Sequence, residues 1–158
     1  MPVETDVPVS LEESDRRVRQ MSEALRSAGF RLTHQRLEVV REVASTDAHP
    51  DAERVFTRVR ERVPTISLDT VYRTLGTLSD LGLVHRVGGM TGATRYDANT
   101  RRHHHFVCTR CGLIRDIDSS ELDGLGIPAE AGEFGNLSAV EVRFTGVCRE
   151  CAEGNQAR

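Results

Sequence analysis

Four cysteines fall into two short pairs, Cys108-x-x-Cys111 and Cys148-x-x-Cys151, and three consecutive histidines, His103-His104-His105, stand just before the first pair. Each Cys-x-x-Cys can wrap one ion, and the two together supply the four thiolates of a closed tetrahedral Zn(II) site that leaves no position for a substrate. The alternatives are two redox dithiols or unrelated buried thiols. Gly112 and Gly146 adjoin the knuckles, where tight turns would need them. Side chains alternate along an extended segment, so His103 and His105 project together while His104 points away. Asp97 precedes the histidines and Asp116 follows the first knuckle. Both carboxylates could converge on one ion with the two imidazoles. Such a set is harder and richer in oxygen than four thiolates, which favours Mn(II) or Fe(II) over zinc. Two metal sites of different character are therefore expected, a closed thiolate site and one of imidazoles and carboxylates.

Composition bounds what the rest of the chain can do. A chain of 158 residues suffices for one ordinary domain or two small ones. Trp is absent, and a metal staple would assist a half with a modest core. All 21 basic residues are Arg, against 24 acidic ones, for a net charge of -3. That balance supplies no strong field to hold nucleic acid non-specifically, so any DNA binding must come from local geometry and from cations that cancel clustered carboxylates. No secretory signal and no apolar run of membrane-spanning length is seen, so a cytoplasmic protein with reduced thiols and no membrane partner is expected.

The elements that must position these ligands divide into a helical half and a strand-rich half. Residues 1–10 read as a flexible arm. From Arg17, the residues Val18, Met21, Ala24, Leu25 and Ala28 recur at helical spacing, and Gly29 ends the helix. Thr33 caps a second helix with a buried stripe of Leu37, Val40, Val43 and Ala44. His49-Pro50 breaks the chain. Asp51 caps a third helix, with Val55, Phe56, Val59 and Val63 on one side. Ser67 caps a fourth, ending at Gly82, with Val71, Leu75, Leu78 and Leu81 inward and Thr70, Tyr72, Arg73, Thr74 and Thr77 toward solvent. A hairpin follows, from residue 83 to 87 and 93 to 96, around the tip Gly88-Gly89-Met90-Thr91-Gly92. Helices followed by such a hairpin make a winged helix-turn-helix, whose recognition helix would be the fourth. Beyond Asn99, strands are expected at 103–107, 113–117 and 137–144, with a poorly helical Gly- and Pro-rich linker at 121–134.

The segment from Tyr96-Asp97 through His103-His104-His105-Phe106-Val107-Cys108-Thr109-Arg110-Cys111-Gly112, with Asp116 and Gly146-Val147-Cys148-Arg149-Glu150-Cys151, resembles the ferric uptake regulator family. So do Arg31-Leu32-Thr33-His34-Gln35-Arg36, Ala48-His49-Pro50 and the run from Ser67 to Leu75, in family order and at family spacing from about residue 20 to residue 151. The resemblance implies an α+β protein, with an N-terminal winged helix-turn-helix at 11–96, a hinge at 97–101, and a C-terminal α/β dimerisation domain at 102–158 that carries the structural zinc site. It implies a homodimeric, metal-dependent transcriptional repressor of a double-stranded DNA operator. His49 would join His103, His105, Asp97 and Asp116 in the regulatory set. In the dimer that ion would lock two wings at the spacing of successive major grooves. Arg31 is placed to enter the minor groove, while Thr70, Tyr72 and Arg73 face the major groove.

Residue identity refines the resemblance. Iron-uptake members resemble a pattern with Glu at the positions of Asp97 and Asp116, and peroxide-responsive (PerR-type) members resemble the two-Asp version. The additional site of some iron-uptake members would need ligands at Arg102, His104, Asp123 and Val140, of which Arg102 and Val140 cannot serve. Zinc-sensing members would offer a regulatory sulfur, and all four Cys are committed. The expected function is therefore peroxide sensing, with iron-responsive repression as the alternative. Fe(II) with nitrogen and oxygen ligands and an open position can react with hydrogen peroxide, and the residues then oxidised match His49 and His103; Mn(II) would hold the repressor form without that reactivity. Peroxide would be a signal and not a substrate. A small metallohydrolase would instead need a general base beside an open metal, and a zinc-ribbon adaptor would not need His49. Glycines at 124, 126 and 132 and Pro128 disfavour the usual dimerisation helix, so strand pairing at 137–144 is expected to carry the dimer contact.

Overall fold

The computed structural model describes residues 7–88, 92–137 and 139–154. The hairpin-tip residues 89–91 and part of the expected arm, 1–6, lie outside the described residues, as does residue 138 within the expected last strand. The chain divides into two compact units, one ending at Thr100 and the other beginning at Arg101.

The first unit holds four helices, α1 (Leu11–Ser27), α2 (His34–Ala44), α3 (Ala52–Arg62) and α4 (Leu68–Asp80), then an antiparallel hairpin of β1 (His85–Gly88) and β2 (Thr94–Asp97). Each helix begins at a side-chain cap: Ser10, Thr33, Asp51 and Ser67 accept the backbone N–H of Glu13, Arg36, Arg54 and Thr70. Gly29 and Gly82 sit at φ +83 and +69, the left-handed turn that stops α1 and α4. Helix α1 starts at Leu11 rather than Arg17, because the Ser10 cap and the Glu13 bonds to Arg16 and Arg17 carry its polar first turns. The described end of the arm is joined to the loop after α2 by backbone hydrogen bonds. The Val9 N–H donates to the Ser45 carbonyl at 3.1 Å, and the Asp47 N–H donates to that of Val7 at 2.8 Å.

One apolar core unites the inner faces: Met21 and Leu25 of α1, Val39, Val40 and Val43 of α2, Val55 and Val59 of α3, and Val71, Leu75 and Leu78 of α4. Val39 is fully buried and Leu37 only half-buried, so the α2 stripe is rotated from the expected one. Leu81 and Thr74 exchange the places expected of them. Leu81 is exposed, and the Thr74 hydroxyl turns back to the Thr70 carbonyl at 2.8 Å within the buried face. Buried Glu38 and Glu42 of α2 are held by Arg62 of α3 at 2.9 and 2.8 Å, which ties the end of α3 to α2.

The second unit is a three-stranded sheet in the order β4-β3-β5, where β3 is His104–Cys108, β4 is Ile114–Ile117 and β5 is Arg143–Gly146. Strand β4 runs antiparallel to β3 and β5 parallel to it. The expected strand at 137–144 is corrected to Arg143–Gly146. The Val142 N–H is taken by the His104 imidazole at 3.1 Å, so the regular ladder starts only after it. The linker forms single turns, α5 (Ser120–Asp123) and α6 (Ala129–Gly132), and α7 (Arg149–Glu153) follows Cys148.

Ser67→Ala removes the cap of the expected recognition helix. It should lower the unfolding free energy by about 1 kcal/mol with an unchanged denaturant slope, and an unshifted urea midpoint would contradict the cap.

Candidate metal centres

Strands β3 and β5 end side by side, with Cys108 opposite Gly146 in register. Gly112 at φ +73 turns the chain after Cys111, and its N–H donates to the Cys108 carbonyl at 3.0 Å. Cys148 precedes α7 and Cys151 lies within it, so a short helix rather than an extended knuckle presents the second pair. Gly146 packs against the Phe106 ring, which a Cβ there would meet at 3.4 Å, an ordinary contact distance.

The four sulfurs lie within 4.8 Å of one another, and Cys111 Sγ is 3.8 Å from Cys148 Sγ. A disulfide would need about 2.0 Å. A tetrahedral site with metal–sulfur bonds of about 2.3 Å has sulfurs about 3.8 Å apart, so the donor set fits a structural zinc ion. The cluster is anchored by its first sulfur. Burial would raise the Cys108 thiol, but backbone N–H groups of Cys111, Cys148 and Arg110 hold it down to about 6. Burial raises Cys111, and hydrogen bonds with the Cys148 and Cys111 sulfurs push Cys151 up to about 12. One thiolate shared by neighbouring thiols is the arrangement a cation completes.

The other donors are set by the sheet and the loops. His105 on β3 stands opposite Asp116 on β4, so strand register alone brings an imidazole and a carboxylate together. His103, just before β3, donates from Nδ1 to the Arg101 carbonyl at 2.7 Å. His105 donates from Nδ1 to Glu141 Oε1 at 3.0 Å. Both rings in their neutral form therefore turn an Nε2 lone pair inward, with the two Nε2 atoms 3.0 Å apart. Asp116 Oδ1 lies 3.6 Å from the first and 3.8 Å from the second. Facing lone pairs beside a carboxylate repel one another, and a cation among them removes the repulsion. Nitrogen and oxygen donors in this number fit Mn(II) or Fe(II). Within the first unit, His49 Nε2 stands 3.7 Å from Asp97 Oδ2. His49 holds φ +52, an uncommon backbone state for a residue other than glycine and one concentrated at functional positions. Asp97 Oδ1 accepts the Asn99 N–H at 2.7 Å, which aims its second oxygen toward His49.

His104 is fully buried on the other face of β3, with Nε2 3.3 Å from Asp123 Oδ1. Arg102 Nε approaches the same carboxylate oxygen at 3.2 Å. The residue that sequence reasoning missed is Glu141. It lies 36 positions after His105 in a segment of irregular backbone, and periodicity gives no signal there. Among the expected DNA-contacting residues, Arg31 and Tyr72 are exposed, Arg73 is 80% exposed, and Thr70 is half-buried with its hydroxyl on Ser67 at 2.9 Å.

The sequence profile of the ferric uptake regulator family matches residues 27–138. The chain is 32% identical over 143 residues to the peroxide-responsive repressor PerR of Staphylococcus epidermidis, covering 90% of this chain and 95% of that protein. This chain belongs to the ferric uptake regulator family. The Helicobacter pylori ferric uptake regulator Fur, described as having three functional metal binding sites, shares the fold at a TM-score of 0.72 and 21% identity, over 91% of this chain and 97% of that one. A zinc uptake regulator complexed with zinc and DNA aligns with a TM-score of 0.62 and 25% identity, over 90% and 97%. Ferric uptake regulator proteins are metal-responsive transcription regulators and not enzymes, which sets aside the metallohydrolase and adaptor readings. Among the described residues no helix is long and apolar enough to cross a membrane.

Cys151→Ala should abolish zinc retention through desalting, measured by elemental analysis, and make residues 101–154 susceptible to protease. Full retention of one zinc per chain would show that the cluster is not the structural site.

Proposed function

We propose that the chain is a peroxide-responsive repressor that binds its DNA operator as a homodimer when a regulatory Fe(II) or Mn(II) is held by His49, Asp97, His103, His105 and Asp116. Cys108, Cys111, Cys148 and Cys151 hold Zn(II). The observation that carries the regulatory site is the orientation of His103 and His105, whose Nδ1 atoms are engaged outward and whose Nε2 atoms converge beside Asp116. Support for the peroxide signal comes from aspartate rather than glutamate at 97 and 116, from a donor set without sulfur, and from the PerR relative.

The charge balance gives the site its leverage. A chain of net charge -3 has little general attraction for a polyanion, so binding rests on a few well-placed side chains. Helix α4 presents Thr70, Tyr72 and Arg73, and Arg31 extends before α2. Residues 97–101 form the hinge between the DNA-binding part and the dimerisation part. A shared ion fixes that hinge, and without it the spacing of the two wings is unset. The exposed apolar residues Leu125, Ile127, Leu137 and Phe144, with Phe134 at 91% exposure, support a self-association surface on the C-terminal unit. A cytoplasmic location follows from the same role.

Held by these residues, Fe(II) would supply the redox chemistry by which hydrogen peroxide is reduced to water as one of its oxygens passes to an imidazole. By the resemblance to peroxide-responsive members, His49 and His103 would be the rings that gain this oxygen in place of a ring hydrogen, which would weaken the donor set and release the clamp. In promoter gel shifts, Mn(II) and Fe(II) should both restore binding, and peroxide should abolish it only with Fe(II). Mass spectrometry should then find oxygen on peptides containing His49 or His103. Unmodified peptides with retained DNA binding would leave the iron-responsive repressor as the function. Arg31→Ala and Tyr72→Phe should each weaken binding about tenfold, the loss of one good contact, with metal content unchanged; unaltered affinity would remove them from the interface.

A further inference from the structure

We infer that Glu141 is the positioning residue of the regulatory site: its carboxylate fixes the tautomer and orientation of His105, and so sets the affinity for the regulatory ion. The inference rests on the reading that His105 is a ligand. Glu141 Oε1 accepts the Nδ1–H of His105 at 3.0 Å, a charge-assisted bond to a ring whose side chain is 4% exposed. Bonding at Nδ1 leaves Nε2 as the only donor atom His105 can offer, and it points that atom at His103 Nε2 and Asp116 Oδ1. A carboxylate on the outer nitrogen also makes the imidazole a stronger base toward a cation, as outer partners of metal-bound histidines commonly do.

The backbone around Glu141 makes this a fixed support. The His105 N–H donates to the Val142 carbonyl at 3.1 Å, and the Val142 N–H donates to His104 Nδ1 at 3.1 Å. Residues 141 and 142 thus grip His104 and His105 at three points, and the β5 ladder begins at the next residue. The Glu141 side chain is itself 49% exposed, so it can be replaced without opening a cavity. His103 differs, since its outer nitrogen meets the Arg101 carbonyl, which no side-chain substitution can remove. Glu141 is therefore the place where substitution tunes the ion's affinity without touching a ligand.

The test titrates Mn(II) into the zinc-loaded full chain against a competing fluorescent chelator. Glu141→Ala should weaken Mn(II) binding about tenfold to a hundredfold. Glu141→Gln, which keeps an acceptor oxygen but loses the charge, should recover part of that loss, and Glu133→Ala should leave affinity unchanged as a control for net charge. Long-range proton–nitrogen spectra of the histidine rings, recorded without Mn(II), should show His105 protonated at Nδ1 in the unsubstituted chain and in Glu141→Gln, and a tautomer mixture in Glu141→Ala. A merely structural role would leave those spectra alike. His105→Ala separates the two readings: if it loses Mn(II) while Glu141→Ala binds normally, Glu141 is not a positioning residue; if His105→Ala binds normally, the regulatory site itself is misassigned. Identical ring spectra in all the variants would also overturn the inference.

Discussion

The four-sulfur cluster at the ends of β3 and β5 is the constraint on which the C-terminal unit depends. Its described residues bury few apolar side chains: Val107 and Ile114, with the sulfurs of Cys108 and Cys148 beside them. Two such aliphatic residues contribute roughly 3–6 kcal/mol. Among the described residues, the large apolar core lies within the helical unit. The strand pair to be held together is parallel, and parallel pairs need long crossovers whose closure costs entropy. A structural zinc ion contributes on the order of 10–16 kcal/mol in small domains, enough to dominate that balance. The sulfur spacing of 3.8 Å, which matches the edge of a zinc tetrahedron, is the geometry such an ion requires.

Strand β3 then transmits the order of one site to the other. Cys108 is its last residue, and His105 lies three positions before it on a backbone paired to strands on both sides. Fixing β3 fixes the direction of the His105 ring, and register with β4 places Asp116 opposite it. The two kinds of donor sort by chemistry. Thiolates gather where backbone N–H groups stabilise negative sulfur, and imidazoles with a carboxylate gather where ring nitrogens can be pinned from outside. A four-thiolate set and an imidazole–carboxylate set can therefore stand a few residues apart and favour different ions.

Much of this was legible in the sequence because the signals are local. Caps at Ser67, Asp51 and Thr33 and breakers at Gly29 and Gly82 each act within a few residues, and they fall where the helices begin and end. The alternation that separates His104 from its neighbours is also local, and its face of β3 is indeed the other one. What stayed hidden depends on tertiary contacts. Thr74 is polar but folds its hydroxyl onto its own helix, so it can be buried where polarity suggests solvent. The arm is tied at Val7–Val9 by backbone atoms, which carry no residue signature. The last strand begins late because one N–H is diverted to an imidazole 38 residues away.

That diverted hydrogen bond and the Glu141 contact show why the irregular segment before β5 has the form it does. A regular strand from residue 137 would present its N–H groups to β3 alone. Breaking the ladder at Val142 frees one N–H to hold His104 and lets the preceding carboxylate reach the outer nitrogen of His105. The gain is a pair of inward-facing nitrogens 3.0 Å apart beside the Asp116 carboxylate. Each ring is held by a bond at its far nitrogen, so neither can turn away to relieve the repulsion without giving up that bond. A cation held among these donors would offset the repulsion between them. Preorganisation of this kind makes the site responsive to the presence of an ion, because the repulsion between its donors is relieved when the cation binds.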